Sequence, residues 1–493
     1  MTSASRPALA AVLLLLFWLP PAEASDRDLL TTLSREYAAV RVAAAAARGG
    51  VAGPDAVQRQ YDTARELEMA LDRAQPVSAS CRPLLRALRS YSDAQIAQAE
   101  GFDRRDPNLA ARGRELARRA EERVNRTRRS CRPAEPEARP ETPPLAEPGP
   151  NEAFFGLIRA RAPASATDAG LFVDGRLVAR AKVHAGWSRF DIQGAVAPGR
   201  HELEVRFDLP RSSAASARTT DAWLMPRSAL SARPGRAAED ARLARQVARL
   251  GRGFRGYAGI LIRDLRTGAV AQWNADARFP AASTVKVGVL VAALARFGTS
   301  TTHRYDLVQM TEWSSNLAAN RLVRLLGQGS EERGSTVVEA TLRRLGATRS
   351  TYTGLYRVGT ASSRSSAEPP SVSRRVTTAG DLATIMATIH AAALGDVRAL
   401  QATRLTVPAA RLALGLLLGA SAEGDSAGLV RPFIGERVLV ARKEGWLRDA
   451  RHTVALAYPV KGPLLVSILT YRAGLTLEEA RQLGRSVVRA AGL

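Results

Sequence analysis

At 493 residues, with 46% apolar and 24% charged residues, the chain is too long for one ordinary core and too apolar for a disordered or fibrous protein, so roughly two to four folded domains are expected. Lysine and arginine outnumber aspartate and glutamate 71 to 47, a net charge of +24. The arginines run through every region and no basic run is interleaved with aromatics, which argues against a nucleic-acid partner and for a solvated cationic surface suited to anionic cell-envelope polymers.

The first 24 residues read as a secretory signal: Arg6, the apolar segment Ala8 to Leu19, and small residues at Ala22 to Ala24 before Ser25. No later run is apolar for 18 residues, so an exported protein, periplasmic or secreted and without a transmembrane span after signal removal, is expected. Residues 25–132 carry Ala, Leu, Arg and Glu at helical spacing, broken at Arg48 to Asp55, at Pro76 and at Asp103 to Asn108, which predicts a bundle of three or four helices. The two cysteines of the chain, Cys81 and Cys131, lie in this segment. In an oxidising compartment such a pair is expected as a disulfide, tying the start of a later helix to the end of the last.

Residues 133–150, "PAEPEARPETPPLAEPGP", form a proline-rich linker. After it the period becomes two, and residues 151–228 are expected to form a small all-β, sandwich-like module. Its strands are read at Phe154 to Arg161, Gly170 to Val183 around an Asp174-Gly175 hairpin turn, Ser188 to Val196, and Arg200 to Leu209. Residues 237–493 begin with an amphipathic helix, continue with strands at "YAGILIRDL" and "AVAQWNADARF", then helices, then a closing pair of strands at "ERVLVARKEGWL" and "TVALAYPVKGPLLVSILTY" and a helix from Leu477 to Ala491. Strands at both ends around central helices predict one α/β domain. The expected protein is therefore multidomain, with a helical bundle, a β module and an α/β domain.

The chain has no Gly-x-Ser-x-Gly elbow, no His-Glu-x-x-His, no phosphate-binding glycine loop ending in Lys-Ser/Thr, and no Cys/His metal spacing. No metal and no cofactor are expected. What stands out is lysine, which occurs only at Lys182, Lys286, Lys443 and Lys461. Lys286 follows Ser283 in "FPAASTVKVGVLVAALARFG". If Ala281 to Ser283 open a helix, Ser283 and Lys286 share a face, and burial makes lysine, unlike arginine, available as a base for the hydroxyl. The plainer reading makes Ser283 an N-cap and Lys286 a snorkelling cation.

Two further segments complete an ordered set: "SSNLAAN" from Ser314 to Asn320 and "RKEGW" from Arg442 to Trp446. Ser-x-x-Lys, Ser-x-Asn and Lys-x-Gly, with "DARFPAASTVK" before the first and "RVTTAGDLATIM" after the second, resemble the class A β-lactamase and penicillin-binding serine acyl-enzyme family. The likeness spans Ala237 to Leu493 and says nothing about residues 26–236. It implies an α/β fold with an antiparallel sheet and a helical subdomain, and a serine hydrolase acting on β-lactams or related peptidoglycan amides.

The resemblance further implies Ser283 as the acylated nucleophile, Lys286 as its proton acceptor or relay, and Ser314 as the proton shuttle to the leaving nitrogen. Asn316 would bind the substrate amide and orient Lys286, Lys443 would hold a substrate carboxylate, and Gly445 would let the closing strand approach. The backbone N–H groups of Ser283 and Trp446 would form the oxyanion hole. Ser315 departs from the family's Asp, a change expected to affect scaffolding more than chemistry. Glu444 departs from its Thr or Ser, and would either repel an anionic substrate or pair with a neighbouring arginine. Between Leu345 and Thr377 nothing matches the Glu-x-x-Leu-Asn segment whose glutamate activates the deacylating water; Glu368, in the only local Glu-Pro and at the wrong distance from both flanks, is the one candidate for that base. Acylation with slow release is therefore expected. The alternatives are a D,D-peptidase-like penicillin-binding protein and a peptidoglycan-binding protein that has lost catalysis.

Overall fold

The computed structural model describes residues 26–48, 53–73, 79–131, 157–162, 166–184, 186–192, 195–208, 215–231, 238–299, 301–359, 375–422 and 427–493. The expected signal segment, the proline-rich linker and Glu368 lie outside the described residues. The chain divides into two compact units, Met1–Thr142 and Pro143–Leu493.

The first unit holds helices α1 (Asp26–Arg48), α2 (Pro54–Arg73), α3 (Arg82–Asp103) and α4 (Pro107–Arg128). Their breaks fall at the glycine and proline positions read from the sequence. Asp106 caps α4 by accepting from the N–H groups of Asn108 and Leu109, with Pro107 opening the first turn. The Cys81–Cys131 disulfide joins the residue before α3 to a residue just past α4, across 50 positions. Leu67, Leu88, Tyr91 and Val124 are buried in this unit, and a polar layer crosses it where Gln60 Nε2 donates to Gln95 Oε1 at 2.7 Å and to Gln98 Oε1 at 3.2 Å.

The second unit begins with β1 (Leu157–Arg161), β2 (Asp168–Val173), β3 (Arg176–Lys182), β4 (Trp187–Asp191), β5 (Gly199–Asp208) and β6 (Ala215–Leu224). β1 pairs with β4, and β3-β2-β5-β6 form a second sheet. Alternate residues of both sheets, among them Ile158, Leu171, Phe190, Val205 and Phe207, meet in one apolar core. Asp174 and Gly175 take φ of 48° and 78°, the left-handed pair that a two-residue hairpin turn requires. β6 had no counterpart in the sequence reading: "ASARTTDAWL" lacks apolar alternation and is defined by its ladder to β5.

The chain continues through β7 (Ala238–Glu239), α5 (Ala241–Gly253), β8 (Tyr257–Asp264), β9 (Ala269–Trp273), β10 (Phe279–Pro280), α6 (Lys286–Phe297), α7 (Arg304–Glu312), α8 (Asn316–Leu326) and α9 (Glu331–Arg344). It ends with β11 (Val376–Thr377), α10 (Ala379–Ala393), α11 (Val397–Thr403), α12 (Val407–Leu418), β12 (Leu439–Leu447), β13 (Ala450–Tyr458), β14 (Leu464–Tyr471) and α13 (Leu477–Ala491). Strands β12-β13-β14-β8-β9-β7 form one sheet, antiparallel throughout except for the parallel β7–β9 pair.

The expected closing pair of strands is three. The second run breaks at Pro459 to Pro463, where Gly462 has φ of 124° and donates to Pro459 O, and the chain turns back on itself. Helices α5 and α13 cover one face of the sheet through Val247, Ile260, Ile262, Val466, Ile468 and Val487. Helix α10 packs on β8, β13 and β14, and α6 lies among α7, α8, α9 and α12. Among the described residues no helix is long and apolar enough to cross a membrane.

Candidate active site

Ser283 does not open the helix as read from the sequence. Ala282 takes a left-handed φ of 49°, which breaks helical geometry, so the chain first makes i→i+3 bonds from Lys286 N to Ser283 O, Val287 N to Thr284 O and Gly288 N to Val285 O. The α-helix starts at Lys286, with Val285 as its N-cap. Ser283 therefore sits on a tight turn, partly exposed, and the plainer N-cap reading of it falls away. The helix that follows is apolar all round, and every residue from Lys286 to Leu294 is buried.

The turn is held from both sides. β10, just before it, pairs with β11 in the register Phe279↔Thr377, and Ala281 N donates to Arg375 O at 2.9 Å. His452 on β13 binds Pro280 O through Nε2 at 2.8 Å and accepts from Thr470 N at Nδ1, which places the imidazole proton on Nε2. Burial pushes the pKa of His452 down to about 4, so this strut is neutral at ordinary pH.

Lys286, 1% exposed, does not snorkel. Its Nζ donates to Ser314 O, to Ser315 O at 3.2 Å and to Asn316 Oδ1 at 2.8 Å, and lies 4.5 Å from the centre of the Tyr356 ring. Ser314 has φ of 58°, a second strained non-glycine residue at the same place. Ser315 caps α8 by accepting from Ala318 N, a task an aspartate performs equally well.

Lys443, on β12, reaches Ser314 from the opposite side. Its Nζ donates to Ser314 Oγ at 3.0 Å and to Glu444 O at 3.1 Å. Burial pushes its pKa down to about 8, against the pull of Glu444. Strand alternation puts Glu444 with Arg442: Arg442 Nε lies 2.6 Å from Glu444 Oε1, and Arg442 Nη2 also donates to Ala420 O and Ser421 O. Of the two outcomes expected for Glu444, pairing with an arginine is the one found.

Gly445 brings β12 against the Ser283 turn. A β-carbon there would stand 2.9 Å from Thr284 Cγ2, 3.0 Å from Thr284 N and 3.1 Å from Ala281 O. Trp446, next along, is 45% exposed. The Ser283, Lys286, Ser314, Asn316, Lys443 and Gly445 positions, spread over 163 residues of sequence, thus converge on one place through the 286–314, 286–316, 443–314 and 445–284 contacts.

The match to known proteins falls on this same segment. The model of the beta-lactamase enzyme family matches residues 242–312 and 298–492. The chain belongs to this family. Among solved structures, the β-lactamase-family portion is similar to PBP-A (18% identity, 52% of this chain, 98% of that one, TM-score 0.42). It is also similar to a beta lactamase from Xanthomonas campestris pv. campestris (21% identity, 51% and 96%, TM-score 0.41). No curated protein matches the chain.

Three features of this β-lactamase-family site were not read from the sequence. Tyr356 and Arg375 come from the Leu345 to Thr377 stretch, which has no Glu-x-x-Leu-Asn segment. His452 sits mid-strand with no motif around it. Asn316 and Asn320 are four apart on α8 and both hold the Tyr356 segment: Asn316 Nδ2 donates to Arg357 O at 3.1 Å, while Asn320 donates to Tyr356 O and accepts from Tyr356 N at 2.8 and 2.7 Å. Among the described residues no cluster of His, Cys, Asp and Glu could hold a metal ion.

Proposed function

We propose that the protein is an exported serine hydrolase that forms an acyl-enzyme at Ser283 with β-lactams or related peptidoglycan amides, and releases the acyl group slowly. The observation that carries the reading is that the ammonium groups of Lys286 and Lys443 both bond to Ser314, one at its carbonyl and one at its hydroxyl. Two of the four lysines of an arginine-rich chain flank one serine beside the Ser283 turn. Arginine cannot give up a proton under protein conditions, so lysine at these positions suits proton transfer.

In the proposed reaction Ser283 Oγ attacks the amide carbonyl carbon as its proton passes to the Lys286 amine. The oxyanion is met by the N–H groups of Ser283 and Trp446. Collapse forms the Ser283 ester and breaks the C–N bond, and the nitrogen takes its proton from Ser314 Oγ, which is replenished through the lysines. Lys443 attracts an anionic group of the substrate. Asn316 orients Lys286, and its engagement with Arg357 O means a substrate amide would have to displace or share that bond. The lack of a Glu-x-x-Leu-Asn segment between Leu345 and Thr377 supports slow water attack on the ester.

Covalent labelling with a fluorescent penicillin tests the reading. A stoichiometric adduct that disappears in Ser283→Ala is expected; no adduct on the unaltered chain, or the same adduct on Ser283→Ala, contradicts it. Turnover of a chromogenic cephalosporin at about 10² s⁻¹ or faster would contradict slow release.

A further inference from the structure

The surroundings of Lys286 favour one protonation state. An ammonium offers three N–H donors and no lone pair, whereas a neutral amine offers two donors and a lone pair that needs a proton in front of it. Here Nζ faces the oxygens of Ser314, Ser315 and Asn316 and, at 4.5 Å, the face of the Tyr356 ring. Each of these attracts a cation, and a buried ring does so strongly because no water competes.

The ring is firmly placed. Tyr356 is buried, and its backbone is held on both sides by Asn320. Arg375 Nη1 donates to the carbonyls of Thr353, Gly354 and Leu355, the residues just before it, and the guanidinium lies 4.1 Å from the ring centre. Tyr352 meets the ring edge to face at 6.1 Å. Burial pushes the Tyr356 phenol up to about 12, so the ring carries no charge of its own at the pH of interest.

We infer that Tyr356 is a positioning residue: with the carbonyls of Ser314 and Ser315 and the Asn316 amide oxygen, its ring face holds Lys286 as an ammonium, and so sets the pH above which Ser283 can be acylated. Other charges stand around this group. Lys443 is bonded to Ser314 Oγ, Glu444 is neutralised by Arg442, and the Arg375 guanidinium, 4.1 Å from the ring centre, opposes the ammonium. Asp306 of α7 is ion-paired with Arg321 of α8 at 3.4 Å, and Glu339 of α9 accepts from Tyr352 N.

The inference rests on the acyl-enzyme reading for its consequence but not for its test. Because the chain has four lysines, their side chains can be followed singly by NMR of protein labelled with ¹³C-lysine, the Lys286 signal being identified by its loss in Lys286→Met. The full chain, Tyr356→Phe and Tyr356→Leu are titrated, and their acylation by fluorescent penicillin is timed over the same pH range. Tyr356→Phe keeps the ring and should leave the Lys286 midpoint where it is, while Tyr356→Leu should lower it by about one pH unit. The rising limb of the acylation profile should move with it.

An unchanged or raised midpoint in Tyr356→Leu, or a fall in Tyr356→Phe as large as in Tyr356→Leu, overturns the inference. Should Tyr356→Leu not unfold cooperatively, Tyr356→Met, which fills the space without a ring, is read by the same criteria. A shifted Lys286 midpoint in a chain that is never acylated would uphold Tyr356 and refute the acyl-enzyme reading. Acylation with superposed midpoints would do the reverse.

Discussion

Gly445→Ala tests whether the approach of β12 to the Ser283 turn is functional. The added methyl would stand 2.9 Å from Thr284 Cγ2, 3.0 Å from Thr284 N and 3.1 Å from Ala281 O, where ordinary contacts begin at 3.4 Å. Two of these three atoms belong to the backbone of the Ala281 to Thr284 turn, so rotating a side chain cannot relieve the clash. Strand and turn must separate by about half an ångström, and overpacking of this kind costs about 1–3 kcal/mol. The separation would draw the Trp446 N–H away from the Ser283 N–H. A full ångström of misplacement can cost about 10²-fold in rate, so a loss of about tenfold in acylation is expected. Acylation is timed with fluorescent penicillin and stability is read from the urea midpoint. A variant that acylates at the unaltered rate with an unaltered midpoint would show that the turn and strand are not tightly coupled, and would refute the reasoning.

His390 and His452 are both buried, with pKa values pushed down to about 4 from 6.5. The unfolded chain then binds more protons than the folded one between those values, so stability is full above pH 6.5 and falls as the pH drops toward 4. The loss should be about 2 kcal/mol for each histidine by pH 5, partly offset by Asp93 and Asp381, whose pKa values burial raises. Urea midpoints at pH 7 and pH 5 measure it. His452→Gln should flatten the dependence, and equal steepness in that variant would contradict the assignment. Reducing the Cys81–Cys131 bridge, which closes a loop of 50 residues, should destabilise the first unit by about 2–4 kcal/mol, read from urea unfolding followed by far-UV dichroism. An unchanged transition would show that the helices do not depend on it.

Much of the site was legible because its chemistry is local in sequence. Ser283 to Lys286 is one turn, Ser314 to Asn316 is one loop entering a helix, and the four lysines stand out in an arginine-rich chain. The helical unit was legible because its boundaries are set by proline and glycine, whose backbone limits act without tertiary help. What sequence alone could not supply is long-range. Ser283 was read as a helix start because Ala282 carries no signal that its φ will be positive. The closing strands were read as two because hydrophobic runs show length more clearly than turns, and Pro459 to Pro463 was passed over inside one. Tyr356 and Arg375 lie in a segment without periodicity, and their meaning appears only when Asn316 and Asn320 fold it against Lys286. His452 is one residue of a buried strand until Pro280 O is found beside it.

Intact-mass spectrometry during incubation with benzylpenicillin tests the central claim most directly. The account predicts an increase equal to one whole penicillin molecule, mapped by peptide analysis to Ser283 and persisting long after free penicillin is removed. A mass that never changes, or an adduct on any residue other than Ser283, would contradict it.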